Sequence, residues 1–199
     1  TEKVTTPYFS DGATQITASN IVTQSLSDDN EKYYFGIAHS STPTTAEFHV
    51  TYGQNDGNGG NDYRDTVESP TEAIYKQFTN LLLNPSEVTG GFFISNKGSW
   101  SGAKASGERD DEIFVLSGIR SNMKDRINMK NWTIVLSGSN SNQYTDAAGA
   151  GALYLTDDSV DDSPTASPVG DRYNIVSGSD GTVVSASTAR TFGFFYPHV

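Results

Sequence analysis

The sequence predicts an α+β, β-rich fold: a mostly antiparallel sheet or sandwich with one principal amphipathic helix over residues 70–83 and a short second helix over 121–127. Three observations lead there. Only one segment carries a full set of helix signals. The other apolar residues fall in short runs rich in aromatic and β-branched side chains, as strands require. Between those runs lie stretches of Gly, Ser, Asn and Asp that read as turns and loops.

The principal helix is defined at both ends. Ser69 is an N-cap whose hydroxyl can accept from an amide of the first turn. Pro70 sits at the first helical position, where a missing N–H costs nothing, and Glu72 completes an S-x-x-E capping box. Ala73, Ile74, Phe78, Leu81 and Leu82 recur at helical spacing, and Pro85 stops the helix. The stripe Ile74, Phe78, Leu81 and Leu82 is expected to be buried within the domain, leaving intermolecular contacts to loops and termini.

The strands follow in order. Residues 14–17 and 20–22 are weak strands within a polar N-terminal arm, residues 1–30, which ends in the turn cluster Ser27-Asp28-Asp29-Asn30. Residues 32–39 form a strong aromatic strand. Residues 47–52 form another, with Phe48, Val50 and Tyr52 on one face. Gly91-Phe92-Phe93-Ile94-Ser95 returns after the helix. Ile113-Phe114-Val115-Leu116 is continuously apolar, the pattern of a strand buried on both faces, and Asn131 to Ser137 is a second central-strand candidate. Residues 152–156, 173–176 and 191–196 complete the set, with Ser179-Asp180-Gly181-Thr182 as a turn into Val183-Val184. Residues 31–199 are expected to form a single β-rich domain. The chain starts without methionine and stops in an aromatic strand, so we expect a processed chain or a fragment of a longer one.

Composition narrows the partners. The net charge of −11 and pI near 4.5 disfavour phosphate backbones and anionic membranes. No apolar run approaches the ~18 residues that span a bilayer. The chain has no cysteine, which excludes disulfides and thiolate metal sites.

Five sets of residues bear on chemistry. The acidic loop 56–65, from Asp56 to Asp65, resembles a single calcium-binding nonapeptide, but such repeats need stacked neighbours and the EF-hand spacing fails, so a solvated loop is the simpler reading. Asp157, Asp158, Asp161 and Asp162 could hold Ca²⁺ or Mg²⁺ through oxygen, yet a charge cluster is ordinarily a solvated loop. His39, His49 and His198 lack metal-ligand spacing, and no nucleophile elbow or phosphate-binding glycine loop is present. Asp110-Asp111-Glu112 could pair carboxylates for glycoside chemistry, but a loop-to-strand boundary explains it more simply. Trp100, Tyr63 and Trp132 could stack on sugars, with Trp132 read as core. No catalytic, cofactor-binding or metal-ligating residue is assigned, and no enzyme activity or cofactor is expected.

Several phrases occur in a fixed order. They are Tyr33-Tyr34-Phe35-Gly36-Ile37-Ala38, the helix segment 69–83, and Asp111-Glu112-Ile113-Phe114-Val115-Leu116. Residues 120–131 then lead into Trp132-Thr133-Ile134-Val135-Leu136-Ser137-Gly138, followed by Tyr173-Asn174-Ile175-Val176-Ser177-Gly178-Ser179 and Gly193-Phe194-Phe195-Tyr196-Pro197. This series, running from about Tyr33 almost to the end, resembles a structural-protein family of contractile-tailed, myovirus-type bacteriophages, especially marine and cyanobacterial ones. The resemblance implies a virion location in tail or baseplate, and a longer parent protein of which this is the N-terminal part. It implies partnership with other virion proteins, in multiple copies within a symmetric assembly, and no active-site residues. Tyr8, Phe9, Phe194, Phe195 and Tyr196 are candidate contact residues, with core packing the competing reading. The alternative function is a secreted or surface β-domain that binds carbohydrate, with calcium as an accessory ligand.

Overall fold

A computed structural model describes residues 21–24, 34–39, 44, 46–57, 70–94, 109–118, 126–137, 152–184 and 191–198. The fold is α+β and β-rich, with antiparallel sheets and, among the described residues, one helix. Chain contacts separate two compact units, residues 1–92 with 109–127, and residues 93–108 with 128–199. The division falls inside the span 31–199 that reads as one domain in sequence.

The first unit holds a four-stranded sheet in the order β1 (Ile21–Gln24), β2 (Tyr34–His39), β3 (Ala46–Gln54) and β4 (Glu112–Gly118). Every neighbour is antiparallel, and opposite the Ile37–Ala38 step of β2 the strand β3 carries one extra residue, Glu47, as a bulge. Helix α1 (Pro70–Leu82) lies between β3 and β4 in sequence and packs against β3. The expected N-cap, Ser69, lies outside the described residues. After α1 ends, the Asn84 amide donates to the Glu87 carboxylate and the Glu87 amide to the Asn84 carbonyl, closing a reciprocal turn around Pro85.

The expected buried stripe of α1 is corrected. Its buried residues are Thr71, Tyr75, Thr79 and Leu82, whereas Ile74 and Phe78 are half-buried and Leu81 is 42 % exposed. Tyr75 accounts for the rotation. Its hydroxyl donates to the Asp110 carbonyl at 2.7 Å and accepts from the Phe92 amide at 3.2 Å, so the helix turns this side chain inward. Gly53 makes that approach feasible, since a Cβ there would stand 2.9 Å from the Tyr75 amide nitrogen.

Two strand expectations also change here. Residues 91–94 form no ladder; Phe92 is joined to the segment before β4 by the Asp110 amide donating to its carbonyl at 2.7 Å. And β4 is not buried on both faces. Among the described residues it is an edge strand, with Phe114 71 % and Leu116 49 % exposed, because β3 alone of the described strands flanks it and α1 lies on the side of Gly53 and its cross-strand partner Ile113.

The second unit holds β5 (Ile134–Ser137), β6 (Ala152–Asp157), β8 (Gly170–Ser179) and β10 (Gly193–Phe195), in the order β10-β8-β6-β5. Strands β7 (Thr165–Ser167) and β9 (Thr182–Val183) pair with the two ends of β8. The β8–β9 turn falls at Asp180-Gly181, both at positive φ, as a two-residue hairpin turn demands. Leu155, Tyr173, Val176 and Phe195 form its apolar core. The second central-strand candidate is likewise an edge among the described residues: β5 starts at Ile134, and Val135 and Leu136 are exposed. The short helix expected at 121–127 lies outside the described residues up to position 125, and Arg126 stands in a bend.

Candidate functional site

The first unit presents the clearest surface feature. Antiparallel register places Phe48, Val50 and Tyr52 of β3 on the same sheet face as Phe114 and Leu116 of β4, with Ile37 of β2 beside Phe48. Helix α1 occupies the opposite face, so this apolar row has no covering element among the described residues of its unit. The Tyr52 and Phe114 rings meet at 5.2 Å. Partial burial, followed by the adjacent Glu112 carboxylate, raises the Tyr52 phenol above its ordinary pKa. Glu112 itself is exposed at the start of β4.

Asp110-Asp111-Glu112 are structural at the boundary expected of them. The Asp110 carbonyl receives the Tyr75 hydroxyl, and the Asp111 carbonyl receives the Asn55 amide at 2.8 Å. The Asp111 carboxylate accepts from Arg109 Nε at 2.9 Å. Asp56 is exposed in the turn after β3, and the rest of the 56–65 loop beyond Gly57 lies outside the described residues.

The acidic run of the second unit departs from its reading as a solvated loop at two of its four carboxylates. Asp157 and Asp158 are fully or nearly fully buried, while Asp161 and Asp162 are exposed. Asp157 accepts from the Lys130 amide at 3.0 Å and from the Ser159 hydroxyl. Asp158 accepts from the Asn174 amide at 2.9 Å and from Asn174 Nδ2 at 2.7 Å, and its own amide donates to the Asn174 carbonyl. The buried pair thus ties the Lys130 turn and β8 to the end of β6. Desolvation raises the Asp158 pKa above the ordinary carboxylate value, against the two bonds from Asn174 that lower it. Sequence could have flagged this only through Asn and Lys at distant positions, which no local spacing reveals.

Trp132 lies just before β5, half-buried, with its ring 5.0 Å from that of Phe195. Its Nε1 is buried and has no hydrogen-bond partner among the described residues. Of the terminal contact candidates, Phe195 is core, Phe194 lies under the Arg172 guanidinium at 4.5 Å, and Tyr196 is half-buried. Tyr8, Phe9, Tyr63 and Trp100 lie outside the described residues. His49 sits in β3 and His198 near Gly170, in different units, and the side chain of His39 lies outside the described residues. Among the described residues no three of His, Asp or Glu converge on a candidate metal position, and no helix is long and apolar enough to cross a membrane.

Compared with protein-family models, with curated proteins and with solved structures, the chain matches none.

Proposed function

We propose that this chain is a structural component of a contractile-tailed bacteriophage virion, in the tail or baseplate, acting through subunit contacts rather than chemistry. The observation that carries the reading beyond the ordered sequence phrases is the apolar row of the first unit, which no element covers among the described residues of that unit. Large apolar side chains displayed together on a strand edge and its sheet face are the material of protein contacts, which need buried apolar area and aromatic anchors. The net charge of −11 makes the chain as a whole acidic. In this reading the buried Asp157 and Asp158 fix loop geometry in the second unit, giving an assembly module a rigid surface.

Mass spectrometry of purified intact particles tests the proposal. The chain, or a longer parent containing it, is expected among the virion proteins, and its absence from washed particles would remove the reading. A symmetric class average of the tail would give its position and copy number.

A further inference from the structure

We propose that two copies of this chain pair through β4, antiparallel about a two-fold axis at Val115, so that two four-stranded sheets become one. The proposal rests on the assembly reading above for its setting. Its own ground is the edge chemistry of β4.

The Asn55 amide donates to the Asp111 carbonyl one step beyond the Gln54–Glu112 pair. Antiparallel ladders alternate, so Ile113, Val115 and Ser117 turn their backbone groups toward β3. Glu112, Phe114, Leu116 and Gly118 then turn theirs away from β3, toward an edge that no described strand covers, since β4 ends the sheet among the described residues. An unpaired row of this kind is a template for another strand.

One register satisfies the whole row. With Val115 opposite its own copy, Phe114 faces Leu116 of the second strand and Glu112 faces Gly118, so every outward backbone group meets an outward group. The side chains agree. Phe114 and Leu116, the two exposed apolar residues of β4, become direct cross-strand neighbours, a favourable aromatic–aliphatic pair. Sliding by two residues sets Phe114 against itself and Glu112 against Leu116, or sets Phe114 against Gly118. Both slides leave outward groups unpaired.

Charge also agrees with antiparallel pairing. Asp110, Asp111 and Glu112 stand at one end of β4, and just past the other end the sequence carries Arg120. The two Glu112 carboxylates would lie about 20 Å apart along the ribbon, from six residues at ~3.4 Å each. That exceeds the ~8 Å screening length at physiological salt. Net repulsion between two copies at −11 remains, so association should tighten as salt rises.

The native chain has no cysteine, which gives a clean test. In the full chain, Val115→Cys under mild oxidation is expected to form a covalent dimer, because a non-hydrogen-bonded antiparallel pair brings the two side chains close. Phe114→Cys, displaced from its own copy by two positions, is expected to stay uncrosslinked. Analytical ultracentrifugation should show the unmodified chain as a dimer, more so at about 0.5 M than at about 0.02 M NaCl. Leu116→Lys, at an exposed position that leaves folding intact by circular dichroism, should weaken dimerisation at least about tenfold. A folded Val115→Cys chain that stays monomeric, equal crosslinking of the 114 and 115 variants, or an unchanged dimer in Leu116→Lys would each overturn the proposal. None of these outcomes depends on whether the chain is found in virions.

Discussion

The phenol of Tyr75 fills the space where a side chain on residue 91 would stand. A Cβ at Gly91 would lie 2.5 Å from Tyr75 Oη, and Gly91 holds φ at +78°. Gly91→Ala should therefore destabilise the first unit by more than the ~1–2 kcal/mol that left-handed backbone alone costs an alanine. Tyr75→Phe leaves the Asp110 carbonyl and Phe92 amide without the hydroxyl that joins them, at about 1–3 kcal/mol. The two changes should be non-additive, because Tyr75→Phe removes the oxygen that a Cβ at 91 would strike. Urea denaturation of the double-mutant cycle checks this; strict additivity would show that the hydroxyl and Gly91 are not coupled.

Adjacent leucines on α1 make a sharper test of its orientation. Leu82 is buried and Leu81 is 42 % exposed. Leu82→Ala should cost about 2–4 kcal/mol, in the range for buried leucines that leave a cavity. Leu81→Ala should cost under about 1 kcal/mol, as surface positions do. Equal losses in denaturation midpoints would restore the apolar stripe as the buried face.

These leucines show what could be read in the sequence. Helix position, its stop before Pro85 and the Asp180-Gly181 turn depend on neighbouring residues, and all three were legible. The buried face of the helix was not, because it is set by Tyr75 reaching Asp110, thirty-five residues away, and by Gly53 admitting the helix backbone. The apolar run Ile113 to Leu116 suggested a central strand. Its place at an edge follows from which strands pair, and that is not encoded in the run itself. Asp157 and Asp158 look like solvent-facing charges until Lys130 and Asn174 are brought to them by the sheet. The alternating row Phe48, Val50, Tyr52 was legible as one face, but not its continuation onto Phe114 and Leu116, which needs the β3–β4 register.

Lys130 holds φ at +68° while its amide donates to the Asp157 carboxylate. A left-handed conformation strains any residue with a Cβ, so Lys130→Gly should stabilise the second unit by roughly 0.5–1 kcal/mol. Asp157→Ala should instead cost at least about 1–3 kcal/mol, since the Lys130 amide and Ser159 hydroxyl lose a charged acceptor in a buried setting. Thermal unfolding of the two variants should thus shift in opposite directions. A shift in the same direction would mean that the turn, not the carboxylate, governs this region.

Asp158 should leave a signature in the pH dependence of stability. Desolvation raises its folded-state pKa above the unfolded carboxylate value, and the Asp162 charge adds to the rise while the Asn174 bonds oppose it. A folded pKa above the unfolded one means that the native state binds the proton more readily. The linked stability is then fully present below the unfolded value of ~3.9 and is lost as pH rises through the folded pKa. Acidification from neutrality should therefore stabilise the second unit through this group, opposite to the effect of a salt-bridged carboxylate. Asp158→Asn removes the titration, and Asn174 can turn its side-chain amide to present its oxygen to the new Nδ2, keeping the contact. The informative quantity is the stability difference between native chain and variant, measured by urea unfolding from pH 7 down to about 4, because other carboxylates titrate in both and cancel. That difference should shift in favour of the native chain as pH falls. A flat difference would mean that Asp158 is better solvated than its burial implies, and a shift in favour of the variant would mean that the Asn174 bonds outweigh desolvation.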